Sequence, residues 1–574
     1  MGLTLGYQTG LTETYPEDNP ADLGDYLIGI PRDTVLLVVS SLLNKKEIYS
    51  TNLQDILGIW FRQSNNAFAN DAYQRLLAVQ QKVGQPISII AQPSVLKVFA
   101  YANNYLSDNQ TQTEEQIEIN LFKAFLFQND LINSVEQKIT ETTENLGEDI
   151  RLYALQFTNA VRFSDVINFD LGEIFFAEFI RAILFFEFLE KRDEAKPLLK
   201  KFIERYEVVD WKDYLKRISG ISFSILKKEK DGHLELEIPR DAAFDANIKF
   251  LEILSTVKYD ELTDFDFKVL RERPIHKIAE DKFRIISELF AVERIFKGLY
   301  FNLKAINETL PKEEKIKDFR FLYTFHFSEK HSLYEVLRKT FPKKHVSFSG
   351  QELESKGIDG APDYYARNNN KLFIFESKDS LISASLKESG DYSALEPDLK
   401  RKFYIDNEGA KAVIQLLNFI QRIYSNEFLK IDKTYKSETL RIYPIVVVHD
   451  RQLDVPGFNK ILNYWFSIEI KKIEKHASLT RVHPITVIDI STLILIHELL
   501  LDRRLVIEKV IDQYHDFVKI KEPMHFNSEA QYKKHLMDTG LPFSFFIKRQ
   551  IRKNKLPRSP HTMIREKAII AFEE

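Results

Sequence analysis

The chain has 574 residues, 44% of them hydrophobic and 12% aromatic, which is enough for two or three cores and excludes a disordered or collagen-like polymer. Its 84 acidic and 80 basic residues leave a formal charge of −4, so a polyanion can be held only by a local patch. There is no cysteine, which removes disulfides, thiolate-ligated zinc or iron–sulfur clusters and cysteine nucleophiles together.

The first twenty residues contain acids and proline but no basic-then-apolar leader. The most apolar stretches, 34–43 and 175–189, are too short or too interrupted by charge to span a bilayer, so the expectation is a soluble, cytoplasmic protein with no membrane partner. From about residue 50 to 310, apolar residues recur at spacings of three and four, as in LFKAFLFQNDLINSVEQKI, which predicts a mostly helical region. Residues 1–310 are therefore expected to sense, regulate or interact. A protein partner or a second copy is the expected contact of this region, and its stretch 114–149, with nine acids against two lysines, suits solvent or a basic protein partner rather than nucleic acid. Within this region ISFSILKKEKDGHLELEIPR (Ile221–Arg240) alternates with period two around Asp231-Gly232 and predicts a β-hairpin. Arg271-x4-His276 is similar to the Arg–His pattern of HEPN ribonucleases, but Pro274 would break the helix that pattern requires.

Past a boundary near Pro311 the period changes. Short β-like runs (Phe319–Phe327, His345–Ser349, Pro362–Ala366, Lys371–Phe375, Leu440–Val448, Pro484–Ile490) alternate with helical stretches (His331–Thr340, Gly409–Tyr424, Ser491–Leu501), which predicts an α/β domain over 311–515. Residues 516–574 form a basic extension, whose KRQIRKNKLPR (Lys548–Arg558) holds six basic and no acidic side chains. No GxxxxGK[ST] loop is present, which argues against a P-loop ATPase.

The sharpest local feature is GIDGAPDYYARNNNKLFIFESKDS (Gly357–Ser380). Two strands joined by the Asn368–Asn370 turn bring Asp363 and Glu376 to one end of a hairpin. Those carboxylates and the Ser377 carbonyl are suitable oxygen ligands for Mg²⁺ or Mn²⁺, and Lys378 lies on the same face as Glu376, where it would orient or help deprotonate an attacking water. The competing reading is a buried or edge salt bridge, and Asp359, in the Gly-flanked turn, is an alternative carboxylate. Glu-x-Lys recurs at Glu136, Glu194, Glu280, Glu313, Glu354 and Glu469, so spacing alone does not decide. Only Glu469, in YWFSIEIKK, also reads as a strand, and alternation there puts it on an outer face. In KLFIFESK both faces are apolar before the charges begin, so an unpaired carboxylate would be costly.

Pro362-Asp363, with twelve residues before Glu376-Ser377-Lys378, resembles the PD-(D/E)xK nuclease superfamily. The resemblance covers roughly residues 315–500 and implies a restriction-endonuclease-like α/β/α core with a mixed central sheet. It implies a metal-dependent nuclease that cuts phosphodiester bonds, with DNA favoured over RNA. The family often carries a Glu on its first helix as a further metal ligand, matched here by Glu335, and a Gln on its second helix, matched by Gln415. The long polar insertion 379–406 departs from the pattern. Lys400, Arg401 and Lys402, beside Tyr404, are candidates for nucleic-acid contact, as are Lys548, Arg549, Arg552 and Lys553. The layout is similar to restriction-type and anti-phage effector nucleases. The rival expectation is a catalytically inactive scaffold of nuclease fold that binds nucleic acid or a partner protein.

Overall fold

The computed structural model describes every residue except 1–6, 45–51, 168, 229–231, 259–265, 342–344, 408, 474–478, 480 and 573–574. The chain forms two bodies, one from residues 1–138 with 203–298 and one from 139–202 with 299–574. This differs from a single division near Pro311, because a helical pair from the first half belongs to the second body.

The first body is mostly helical, with a three-stranded antiparallel sheet in the order Leu234–Glu237, Lys282–Ile285, Ile275–Lys277. The expected hairpin over Ile221–Arg240 is not formed. Trp211–Leu226 is a helix capped by Asp210, whose carboxylate accepts from the Asp213 N–H at 2.8 Å. Ile218, Ile221, Ser222 and Ile225 are buried along one stripe, whereas Phe223, which alternation would bury with Ile221, is 41% exposed. The predicted tip residue Asp231 lies outside the described residues, and Leu234–Glu237 pairs with Lys282–Ile285 instead. His276 stands on a strand and bonds Asp33 through Nε2 at 3.0 Å, so Arg271 and His276 share no helix.

The second body is a mixed α/β structure. In chain order it contains α1 (Glu148–Ile167), α2 (Leu171–Glu190) and α3, a continuous helical run through Phe319–Phe321, Leu322–Leu333 and Tyr334–Thr340. There follow β1 (Val346–Ser349), β2 (Tyr364–Asn368), β3 (Lys371–Lys378), α4 (Tyr392–Phe403), α5 (Ala412–Tyr424), β4 (Arg441–Val448) and α6 (Phe458–Ile473). The chain ends through β5 (Thr486–Asp489), α7 (Ile490–Leu501), α8 (Ile507–Phe517), α9 (Glu529–Asp538), α10 (Phe543–Lys553) and a last helix, His561–Phe572. The sheet order is β5-β4-β3-β2-β1, with β4 parallel to both neighbours and β1, β2 and β3 antiparallel in sequence.

β3 and β4 are interior strands, buried on both faces, which is why they read as continuous apolar runs. On one face Tyr365, Leu372, Ile374 and Val446 pack with Leu416 and Ile420 of α5, Leu462 and Trp465 of α6, and Phe157 of α1. Each such side chain contributes about 1.5–3 kcal/mol on burial. On the other face Phe341 meets Phe373 and Phe375, both with centroids 5.7 Å away, and Tyr443 stacks on Phe373.

Three further segments depart from the sequence-based expectation. Phe319–Phe327 is helical: Asp318 caps it by accepting from the Phe321 N–H at 2.8 Å, and Leu322, Tyr323 and Phe327 are buried on one stripe. YWFSIEIKK belongs to α6, where Leu462, Trp465 and Phe466 face the core and Ile468 is 40% exposed. The insertion 379–406 is not a loop, because α4 buries Leu395, Leu399 and Phe403. Gly409–Ala410 pairs with Ile405–Asp406, and α5 begins only at Ala412.

Candidate functional site

The β2–β3 register sets Tyr365 opposite Ile374 and Tyr364 opposite Phe375, which leaves Asp363, just ahead of β2, facing Glu376 at the same end. The Ser377 N–H donates to Asp363 Oδ2 at 2.5 Å, and Lys378 Nζ donates to Glu376 Oε1 at 2.8 Å. Glu376 is 2% exposed, so its charge sits in a poorly solvated place. The structure therefore brings Asp363, Glu376, Ser377 and Lys378 together.

A third carboxylate completes this cluster, and it is not Glu335. Glu329 sits in the Leu322–Leu333 stretch of α3, which is wound as a π-helix with i→i+5 hydrogen bonding. It is close enough to Asp363 for the protonated Asp363 to donate to it. Burial, then the charge of Glu329, pushes Asp363 up to about 8. Burial, then Asp363, pushes Glu376 to about 8, and burial, then Glu376, pushes Glu329 to about 7. Burial opposes the Lys378 charge, yet Glu376, Asp363 and Glu329 together hold its pKa above the ordinary lysine value. Lys378 is an ammonium in this arrangement.

The neighbouring groups rigidify the cluster. Ser328 Oγ donates to the half-buried Asp379 at 2.5 Å, which ties α3 to the residue after β3. Ser377 Oγ and His449 Nε2 lie 2.8 Å apart, and Arg181 of α2 donates to the His449 carbonyl at 3.2 Å. Burial, then Arg181, drives His449 well below its ordinary pKa, so the ring is neutral, and its Nδ1 has no hydrogen-bond partner among the described residues. Val448 is in register with both Lys378 and Asp489, so the carboxyl ends of β3, β4 and β5 share one edge of the sheet, where ligands of open α/β sheets usually bind. Farther along that edge Asp489 is buried and Asp454 half-buried, and each keeps one buried oxygen without a hydrogen bond among the described residues.

The other residues singled out in the sequence lie elsewhere. Glu335 pairs with Lys339 at 3.3 Å, and Lys339 also reaches Glu566 at 3.2 Å. Gln415 lies in the first turns of α5 with its Oε1 buried and unpartnered, and it makes no side-chain hydrogen bond to the carboxylates. Asp359 is exposed. Lys400 pairs with Glu396 at 3.1 Å, and Arg401 and Lys402 both pair with Asp398, so this basic triplet is neutralised along its own helix. Lys548 pairs with Glu173 at 2.7 Å, while Arg549, Arg552 and Lys553 enter no ion pair among the described residues.

Glu329 and Asp379 were missed in the sequence for one reason: each lies just outside the segment assigned to a regular element. The adjacency of Asp379 to Lys378 was the one available signal. Among the described residues no group of three or more His, Asp or Glu side chains is gathered closely enough to hold a metal ion, and no helix is long and apolar enough to cross a membrane. No protein-family model, curated protein or solved structure matches the chain.

Proposed function

We propose that the second body is a Mg²⁺- or Mn²⁺-dependent nuclease of the PD-(D/E)xK type, acting on DNA in preference to RNA, in a chain that serves restriction-like or anti-phage defence. One observation carries the reading. Three carboxyls, the buried Glu376 and the half-buried Asp363 and Glu329, converge with one ammonium at the end of an interior strand, and all three hold their protons far above the ordinary range. In water such groups ionise near pH 4, so the fold has gathered carboxyls whose ionised form needs a cation beside it. Asp363, Glu376 and the Ser377 carbonyl are the proposed ligands, with Glu329 taking the helix position first expected of Glu335. A divalent ion there would acidify a bound water and neutralise charge developing on phosphate.

The chain's own residues do the rest. The Ser377 N–H fixes Asp363, and the neutral His449 fixes Ser377, so the strand end is preorganised. Lys378 is charged, which favours orienting water and offsetting phosphate charge over acting as a base.

A second reading, the non-catalytic scaffold, is favoured by one fact: Lys378 already neutralises Glu376, and no ready three-carboxylate metal cluster is present among the described residues. Incubating the full chain with plasmid, single-stranded DNA and RNA, in Mg²⁺ or Mn²⁺ with an EDTA control, separates the two. The nuclease reading expects cation-dependent cleavage, a loss of about a hundredfold or more in Lys378→Ala with metal binding retained, and loss of both in Asp363→Ala. Glu329→Gln should weaken cation affinity about tenfold, whereas Glu335→Gln should not. Wild-type rates in Asp363→Ala and Lys378→Ala would reject the site.

A further inference from the structure

Helix α10 divides its cations between two flanks. Lys548 points to Glu173, but Arg549 and Lys553, one turn apart, line a cleft of about 630 Å³ bordered by α8, α9 and α10. Lys521, from the link between α8 and α9, lines the same cleft. None of the three takes part in an ion pair among the described residues, so three positive charges face one concavity beside two lining carboxylates, Asp516 and Asp538, with which they form no ion pair. The cleft is aromatic as well as basic. Phe517 and Phe546 lie 5.5 Å apart, and the Arg549 guanidinium sits 5.8 Å above the Phe517 ring.

The remaining lining narrows the ligand class. A groove built only for a polyanion would exclude carboxylates, yet Asp516, Asp538 and Gln550 line this one. A nucleobase offers amino donors to a carboxylate, both donors and acceptors to an amide, and a flat face to a ring or guanidinium, while its phosphate takes the ammonium and guanidinium groups. The volume falls within the roughly 300–1,000 Å³ typical of small-ligand sites. We infer that this cleft binds a nucleotide through its phosphate and base, either free or as one unit of a single strand. The inference rests on the nucleic-acid part of the proposed function and not on its chemistry, since no residue of the carboxylate cluster lines the cleft.

Binding by the full chain in EDTA, where cleavage is silent, tests it. One arm follows the fluorescence anisotropy of a labelled oligothymidylate, and the other follows titration calorimetry of the four nucleoside monophosphates. Arg549→Glu with Lys553→Glu should raise the oligonucleotide Kd at least about tenfold and lower the salt slope by about two. Arg552→Glu, on the other flank, should change Kd less than about threefold. These side chains are exposed, so unchanged melting curves will show that the variants are folded. Selective weakening in either arm supports the site and identifies its source, strand or free nucleotide. Equal binding by wild type and the double variant, a loss no larger than that of Arg552→Glu, or no binding by wild type in both arms overturns it. A chain that binds here and never cleaves would retain this inference while removing the nuclease reading.

Discussion

At the scale of single residues, the second body holds carboxyl groups in poorly solvated places. Asp454 is the clearest case apart from the proposed cation site. Burial, then the charge of Asp489, pushes it up to about 7, with Ser544, Lys548 and Arg451 pulling the other way. The unfolded chain releases the same proton near pH 4. Between those values the native form holds a proton that the unfolded form has lost, so stability is greatest below about pH 4 and falls as pH rises toward 7. Asp454→Asn removes that proton from the balance. Thermal melting between pH 5 and 8 should therefore be flatter in the variant, and an unchanged pH profile would show that Asp454 ionises normally in the fold.

At the scale of elements, the loop entering α6 imposes a tight constraint. Gly457 has φ +86, and a Cβ there would stand 2.2 Å from the Tyr153 carbonyl oxygen and 2.9 Å from the Phe157 nitrogen, both backbone atoms of α1. Neither can yield as a side chain would, so Gly457→Ala should cost at least about 2 kcal/mol, visible as a lowered Tm in calorimetry. A neutral outcome would mean that α1 and α6 separate easily. Much of the sheet was legible because β3, β4 and β5 are apolar on both faces and leave the helix period unmatched. The Asp363–Glu376 pairing followed from the hairpin register. α3 was not legible as a helix at its start. FRFLYTFHF is aromatic and alternating, as strands are, and only the Asp318 cap and the Leu322, Tyr323 and Phe327 stripe argue for helix. Its π winding has no sequence signature, and this is why a carboxylate expected at 335 was found at 329. α10 was legible and passed over: Phe543, Phe546, Ile547 and Ile551 form an apolar stripe beneath the basic run.

At the scale of the molecule, the boundary near Pro311 fails because contacts rather than sequence order define a core. Phe157 of α1 stacks on Phe458 at 5.6 Å, and Phe185 of α2 lies 4.5 Å from Phe327 of α3. A chain of residues 311–574 would lack both partners and leave that apolar surface to water. It should aggregate or melt without cooperativity, as followed by circular dichroism, whereas the full chain melts cooperatively. Cooperative melting of the shortened chain near the Tm of the full one would restore the simpler division.

The discontinuity of the second body also has a kinetic consequence. α1 and α2 leave the ribosome before residues 203–298, yet the strands that α1 covers end only at Asp489, and α2 packs on Phe327 of α3 and Phe572 of the last helix. At about 5–20 residues per second, the phenylalanine-rich face of α2 waits tens of seconds for the last helix, which carries Phe572. Synthesis therefore passes through a long-lived, sticky intermediate. Chaperone supply and translation rate, more than final stability, will set how much of this chain reaches its native state.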